Sequence, residues 1–417
     1  MSKLKITGGN KLNGEILIHG AKNSALPILA ATLLLKGESV IHNCPRLSDV
    51  DAAIKILTHL GCTCAREGGT VTVNAVTVTD NEIPDELMRE MRSSIFFLGA
   101  IVGRMGSAVI SSPGGCELGP RPIDLHISAL RKMGLIITED HGYLKCNANG
   151  KLKGTDIHLS FPSVGATENI ILAATLAEGK TVVHNAAREP EISDLADFLN
   201  SAGAKIHGAG SDTVVIYGVD ELHSTEHSVI PDRIAASTYI AAAAVTGGDV
   251  TINGVMSSHL VVVLNVFRES GCRITPYKNA LRVVSDRQLK CIPTIRTMVY
   301  PGFPTDAGPP ILAMLTRAHG TTVFVENIFQ NRFKYIDELR RLGAKIKTQG
   351  SVAVIEGGAA LTGAKTECTD LRGGAALVVA ALASEGTSEI DKIFHIDRGY
   401  ECIENYLTCI GADVKRI

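Results

Sequence analysis

The chain has 417 residues, 45% of them hydrophobic and 20% charged, and a formal net charge of −2. That length argues against one ordinary core and for two domains. The balanced charge gives no general attraction to nucleic acid or to an anionic membrane. No apolar run approaches the ~20 residues that span a bilayer, and Met1-Ser2-Lys3-Leu4-Lys5-Ile6 lacks the apolar stretch of an export signal.

The ten cysteines are scattered without a CxxC pair, and no histidines interleave at finger spacing, so no zinc site is expected. A cytoplasmic protein with reduced thiols and no metal or cofactor follows. Trp is absent and aromatics make up only 4%, so the core must be built from Ala, Val, Ile and Leu.

In chain order, the first predicted unit carries Gly20-Ala21-Lys22-Asn23-Ser24, where a cation sits beside a glycine. A helix then stops at Gly37, a strand runs through Ser39-Val40-Ile41-His42, Arg46 follows in a loop, and a second helix stops at Gly61. The same pattern restarts at Gly106, Gly179, Gly247, Gly320 and Gly386, at intervals of 66 to 73 residues. Each restart is expected to be a glycine closing a helix in the left-handed conformation. Six units of alternating helix and strand imply an α/β architecture with three units in each domain.

The spacing from the first to the second glycine is 24 residues in units one, three and four, 23 in unit five, 25 in unit six and 28 in unit two. The surplus falls in Ser111-Ser112-Pro113-Gly114-Gly115-Cys116-Glu117-Leu118-Gly119-Pro120-Arg121-Pro122, too rich in Gly and Pro for any regular element. A thiol on such a loop is open to solvent and ligand, so Cys116 is the candidate chemical group.

Equivalent strand-to-helix loops carry Arg46, Arg121, Arg188, Arg332 and Arg398, while unit four has Val255-Met256-Ser257-Ser258-His259. Any one of these arginines alone reads as a solvated charge; five in register, with helix starts beside them, read as anion binders. Arg372, in Thr369-Asp370-Leu371-Arg372-Gly373-Gly374, adds a further cation beside glycines. Neither GxGxxG nor GxxxxGK[ST] occurs. Two domains with such faces repel each other until an anion bridges them, so closure on substrate, with exclusion of water, is expected.

These residues carry a resemblance. Gly20-Ala21-Lys22-Asn23-Ser24-Ala25-Leu26-Pro27, Pro113-Gly114-Gly115-Cys116 and Gly119-Pro120-Arg121-Pro122-Ile123-Asp124-Leu125-His126 resemble the UDP-N-acetylglucosamine 1-carboxyvinyltransferases. So do Ser163-Val164-Gly165-Ala166-Thr167, Ala187-Arg188-Glu189-Pro190-Glu191, Phe303-Pro304-Thr305-Asp306, Thr369-Asp370-Leu371-Arg372 and His395-Ile396-Asp397-Arg398-Gly399-Tyr400. These enzymes are enolpyruvyl transferases, with EPSP synthase as a sister.

The resemblance implies a two-domain inside-out α/β barrel of six βαβαββ units in pseudo-threefold domains, bounded at 22–230 and at 1–21 plus 231–417. It implies transfer of the enolpyruvyl group of phosphoenolpyruvate to the 3′-hydroxyl of UDP-N-acetylglucosamine, by a monomer. By match to the motifs, Cys116 is the proton donor, and Asp306 the base or the group that carries protons as the tetrahedral intermediate collapses. Lys22, Arg121 and Arg398 would hold the phosphate, Arg332 and Arg372 the carboxylate, and Arg92 would line the cleft. Contacts to the nucleotide sugar would come from Asn23, Pro122, Ile123, Asp124, Leu125 and His126, and from Ser163, Val164, Gly165 and Ile328. A thiol of ordinary pKa ~8.5 is protonated at neutral pH and can act as an acid, whereas helix ends and Arg121 favour thiolate and alkylation, as by the epoxide fosfomycin.

Plainer readings stand beside two of these: Asp306 as a cap before Ala307, and His126 as a satisfied helix histidine. Two stretches also depart from the family pattern. Ala235-Ala236-Ser237 stands where Glu, a small residue and Gly are usual, and Ala307-Gly308-Pro309-Pro310 lacks the usual Gln near position 308; Phe161 stands where some members carry Lys. A paralogue with another acceptor, an EPSP-synthase-like activity and a non-catalytic sugar-nucleotide sensor remain alternatives.

Overall fold

The computed structural model describes residues 2–91, 94–111 and 123–417. Among these, residues 20–230 form one compact unit, and 2–19 with 231–417 form the other. Each unit has its own apolar core.

Six four-stranded sheets are present among the described residues, three in each unit. The strand Glu82–Ile83, helix Phe97–Met105, strand Ser107–Ser111, helix Asp124–Lys132 and the hairpin Ile136–Asp140 with Tyr143–Asn147 make one complete βαβαββ module. The strands alternate buried and exposed residues, as in Thr70–Asn74 and Thr321–Val325, so each sheet turns one face to the core and one to water.

The first helix of each module is apolar on all sides and therefore central. All fourteen residues of Arg233–Thr246 are buried, as are nearly all of Leu371–Ala383 and Val164–Ala174. The second helices, such as Ser48–His59 and Pro190–Ser201, are amphipathic and close the gaps. Helices inside and sheets outside make the inside-out arrangement expected of the chain. Small residues permit it: a Cβ on Gly99 would stand 2.4 Å from the Asn169 carbonyl oxygen of the adjoining central helix.

Each unit closes on itself by borrowing strands. Thr225–Ser228 returns to pair in parallel with Glu38–His42 and completes the sheet of the first module. In the other unit, Asn13–Leu17 pairs in parallel with Asp249–Asn253, and Leu4–Thr7 lies antiparallel between Thr387–Asp391 and Asp413–Arg416.

Five of the six restart glycines, at 106, 179, 247, 320 and 386, have positive φ, as their helix-closing role requires. Gly37 does not. It is needed for space instead, because a Cβ there would meet the Ser224 hydroxyl at 2.2 Å.

Candidate active site

In the unit of residues 20–230, the starts of the central helices carry the predicted groups. Lys22 is the first residue of Lys22–Ala31, only 7% exposed, and its ammonium lies 2.7 Å from the buried Asp49 carboxylate. The neighbouring Asn23 is exposed. Ser163 caps Val164–Ala174 by accepting from the Ala166 N–H at 3.3 Å, and the Thr167 hydroxyl ties back to the Ser163 carbonyl at 2.8 Å. Val164 and Gly165 open that helix, and Phe161 just before it is 45% exposed.

Asp124, Leu125 and His126 form the first turn of Asp124–Lys132, with Ile123 immediately before it. The His126 ring packs against Gly165, where a Cβ would lie 3.1 Å from its Cε1. It is buried, and its Nδ1 lies 2.6 Å from the Asn169 amide nitrogen, which fits the plainer reading of a satisfied helix histidine as well. Arg92, Cys116, Arg121 and Pro122 lie outside the described residues.

The other unit gathers its cations around one carboxylate. Asp306 sits in the short turn Thr305–Ala307 ahead of Gly308–Leu315. Its Oδ1 accepts from Arg332 Nη2 at 2.9 Å and its Oδ2 from Arg372 Nε at 3.3 Å. Both arginines are 2% exposed, whereas the Asp306 side chain is 27% exposed. The carboxylate therefore forms the accessible tip of a buried triad.

Arg332 also donates to the Thr305 carbonyl at 3.1 Å. Among the described residues, Arg332 Nε and Arg372 Nη1 have no hydrogen-bond acceptor. Burial pulls the Arg372 guanidinium down, but Tyr400 and the Asp306 and Asp232 carboxylates hold it above its ordinary value. Arg372 lies over the Tyr400 ring at 5.4 Å, and the Tyr400 hydroxyl meets Thr238 at 2.8 Å. Asp370 and Asp232 cap the two neighbouring central helices through their Oδ1 atoms. Three helix starts thus share one end of this unit. Arg398 ends the Ile393–Arg398 turn and is half-buried.

The loop arginines do not behave alike. Arg332 is sequestered with Asp306, whereas Arg188 makes a half-exposed pair with Asp212 at 3.0 Å and Arg46 is exposed. Register alone therefore does not make a loop arginine an anion ligand.

Both departures from the family pattern lie in buried helix walls. Ala235 and Ser237 are fully buried, and Ser237 donates to the Arg233 carbonyl at 2.8 Å. At position 308 a Cβ would stand 2.8 Å from Phe324 Cζ, so that ring occupies the space of a side chain. Pro309 and Pro310 take the first helical turn, where no N–H is needed.

Sequence reasoning missed Asp49, Asn169 and Glu326. The buried Glu326 takes the Thr297 hydroxyl at 3.0 Å and the Ile328 and Phe329 N–H groups at 2.8 and 3.1 Å on Oε1, and the Thr305 hydroxyl at 2.9 Å on Oε2. One carboxylate thus braces the loop bearing Ile328 and the turn bearing Asp306. Its signal was an acid at the end of the apolar strand Thr321–Val325.

A family model described as EPSP synthase (3-phosphoshikimate 1-carboxyvinyltransferase) matches residues 6–407. The chain belongs to this family. UDP-N-acetylglucosamine 1-carboxyvinyltransferase 2 of Caldanaerobacter subterraneus subsp. tengcongensis is 53% identical over the whole of both chains. UDP-N-acetylglucosamine 1-carboxyvinyltransferase 1 of Symbiobacterium thermophilum is 50% identical over 99% of this chain and 94% of its own. Among solved structures, the enolpyruvyl transferase NikO from Streptomyces tendae superposes with a TM-score of 0.91 at 25% identity, over 100% of this chain and 98% of that one. EPSP synthase from Acinetobacter baumannii shares the fold, with a TM-score of 0.78 at 19% identity over both full chains. No helix among the described residues is long and apolar enough to cross a membrane.

Proposed function

We propose that the chain transfers the enolpyruvyl group of phosphoenolpyruvate to the 3′-hydroxyl of UDP-N-acetylglucosamine, releasing phosphate. This would be the first committed step of peptidoglycan precursor synthesis, carried out in the cytoplasm by a monomer. The observation that carries the reading is the Asp306 triad, in a chain of this family: a base candidate held by two buried guanidiniums, each with a donor that has no acceptor among the described residues.

The chemistry is addition followed by elimination. The hydroxyl oxygen bonds to C2 of the enol while its proton leaves to a base and C3 gains a proton from an acid. Phosphate then departs from C2 as C3 gives up a proton, restoring the double bond. Asp306 serves as base, and Cys116, by its motif, as acid. Lys22, Arg121 and Arg398 stabilise the phosphate, and Arg332 and Arg372 the carboxylate. Arg92 contributes a further cation; Asn23, Pro122 to His126, Ser163 to Gly165 and Ile328 hold the sugar nucleotide.

The test measures phosphate release from phosphoenolpyruvate with UDP-N-acetylglucosamine or with shikimate 3-phosphate as acceptor. The wild type is expected to turn over only with the sugar nucleotide, and Cys116→Ala and Asp306→Ala to lose at least about a hundredfold of that activity. Binding of the sugar nucleotide without phosphate release would replace the enzyme with a sensor. Fosfomycin followed by mass spectrometry should place one adduct on Cys116. Burial pushes the Cys62 and Cys272 thiols up to about 12 and Cys146 to about 11, while Cys402 and Cys409 are exposed. An adduct confined to Cys402 or Cys409 would contradict the assignment.

Glu326 supplies a second expectation. Glu326→Ala should raise the KM for the sugar nucleotide and lower kcat, together reducing kcat/KM at least about tenfold, because four donors lose a buried acceptor. Glu326→Gln keeps an oxygen for Ile328 and Phe329 and should recover most of the KM. Steady-state kinetics in which both variants match the wild type would remove Glu326 from the site.

A further inference from the structure

The Asn169 side chain lies between two backbone groups of opposite kind. Its Oδ1 accepts the Gly99 N–H at 2.6 Å, and its Nδ2 donates to the Ile95 carbonyl at 3.0 Å. Turning the amide over would set oxygen against oxygen and N–H against N–H, so these two groups determine which end is nitrogen. The second hydrogen of that nitrogen points to His126 Nδ1, 2.6 Å away. Gly99 makes the approach possible, since a Cβ there would stand 2.6 Å from Asn169 Oδ1.

A ring nitrogen that accepts a hydrogen bond carries no proton. A neutral imidazole has one, so it resides on Nε2. Burial pushes the His126 imidazole down to about 4 against the opposing pull of Asp124, and so keeps the ring neutral at pH 7. The Nε2 edge lies toward Gly165, 3.4 Å from where a Cβ would be, at the start of the Val164–Ala174 helix.

We propose that Asn169 is a positioning residue: it locks His126 in the Nε2–H form, making it a neutral hydrogen-bond donor to an acceptor oxygen of the bound sugar nucleotide. This rests on the sugar-nucleotide reading of the site. Asn169 touches no substrate; it acts through the ring. Locking the tautomer spares the bound state the cost of selecting it, and a donor without charge favours an oxygen over a cation or an N–H group.

The experiment is a long-range 1H–15N correlation spectrum of the full chain labelled with 15N-histidine, with the His126 signals assigned by their loss in His126→Gln. Wild type should show Nδ1 in the unprotonated range and Nε2 in the protonated range, and UDP-N-acetylglucosamine should shift Nε2. Titrating UDP and N-acetylglucosamine 1-phosphate separately shows which half of the ligand supplies the oxygen. In Asn169→Asp the new carboxylate should draw the proton to Nδ1 and raise the KM for the sugar nucleotide about tenfold, with kcat changed less. Adding His126→Gln to Asn169→Asp restores a donor that has no tautomer, and should recover part of that loss.

A wild-type ring protonated on Nδ1 overturns the proposal even where phosphate release proceeds normally. A ring protonated on Nε2 that the nucleotide leaves unshifted overturns its ligand. Absence of phosphate release in the wild type tells instead against the function, whatever the tautomer.

Discussion

Asp306→Ala is expected to lower activity by about 10²–10⁴-fold, the usual loss when a general base is removed, and also to destabilise its unit by roughly 3–5 kcal/mol. The second effect is the more diagnostic. Arg332 and Arg372 are 2% exposed and both spend donors on this carboxylate. Without it, two buried cations lose the carboxylate they share. Asp306→Asn keeps the volume and one acceptor oxygen, so it should lose the activity with a smaller stability cost. Denaturant unfolding of the three proteins, followed transition by transition because two units need not unfold together, checks this. As a control, Asp337→Ala removes an exposed helix pair with Arg340 and should cost less than about 1 kcal/mol. Equal stability of Asp306→Ala and wild type would mean that the arginines find another anion at no cost.

The second large effect concerns acid. Burial takes the His126 pKa from 6.5 down to about 4. As pH falls through that window, the unfolded chain takes up a proton that the native ring refuses. Its contribution is therefore complete above about pH 6.5 and lost progressively toward pH 4, reaching roughly 3 kcal/mol at most. His126→Gln, which cannot titrate, should lose less stability between pH 7 and pH 4.5 than the wild type does. The difference between the two proteins isolates this ring from the other twelve histidines. Parallel pH profiles would show that the native ring protonates freely.

The repeat was readable because its markers are local. A helix-closing glycine, a β-branched strand and an Ala/Leu-rich helix each announce themselves within a few residues, and five of the six glycines have the expected backbone. Gly37 was read correctly as a boundary and for the wrong reason, since its constraint comes from Ser224, far along the chain.

The site was legible only as residue types. That Asp306 would join Arg332 and Arg372 could not be read from separations of 26 and 66 residues. Asn169 was less visible still. An amide within Asn169-Ile170-Ile171-Leu172 looks like a polar intrusion in a core helix, and its meaning comes from partners 43, 70 and 74 residues away. Buried polar residues inside apolar runs were the signal passed over, because each must be satisfied by something distant.

The borrowed strands also set an order of assembly. Leu4–Thr7 is made well before either of its partners, Thr387–Asp391 and Asp413–Arg416. Until they are made it is an unpaired strand, open to pairing with any other nascent chain. Among the described residues, 20–230 draw on no strand outside their own run and can finish while the rest is still being made. The unit that carries Asp306 is thus the late, vulnerable half of the molecule. Slow translation or delayed release should harm it first.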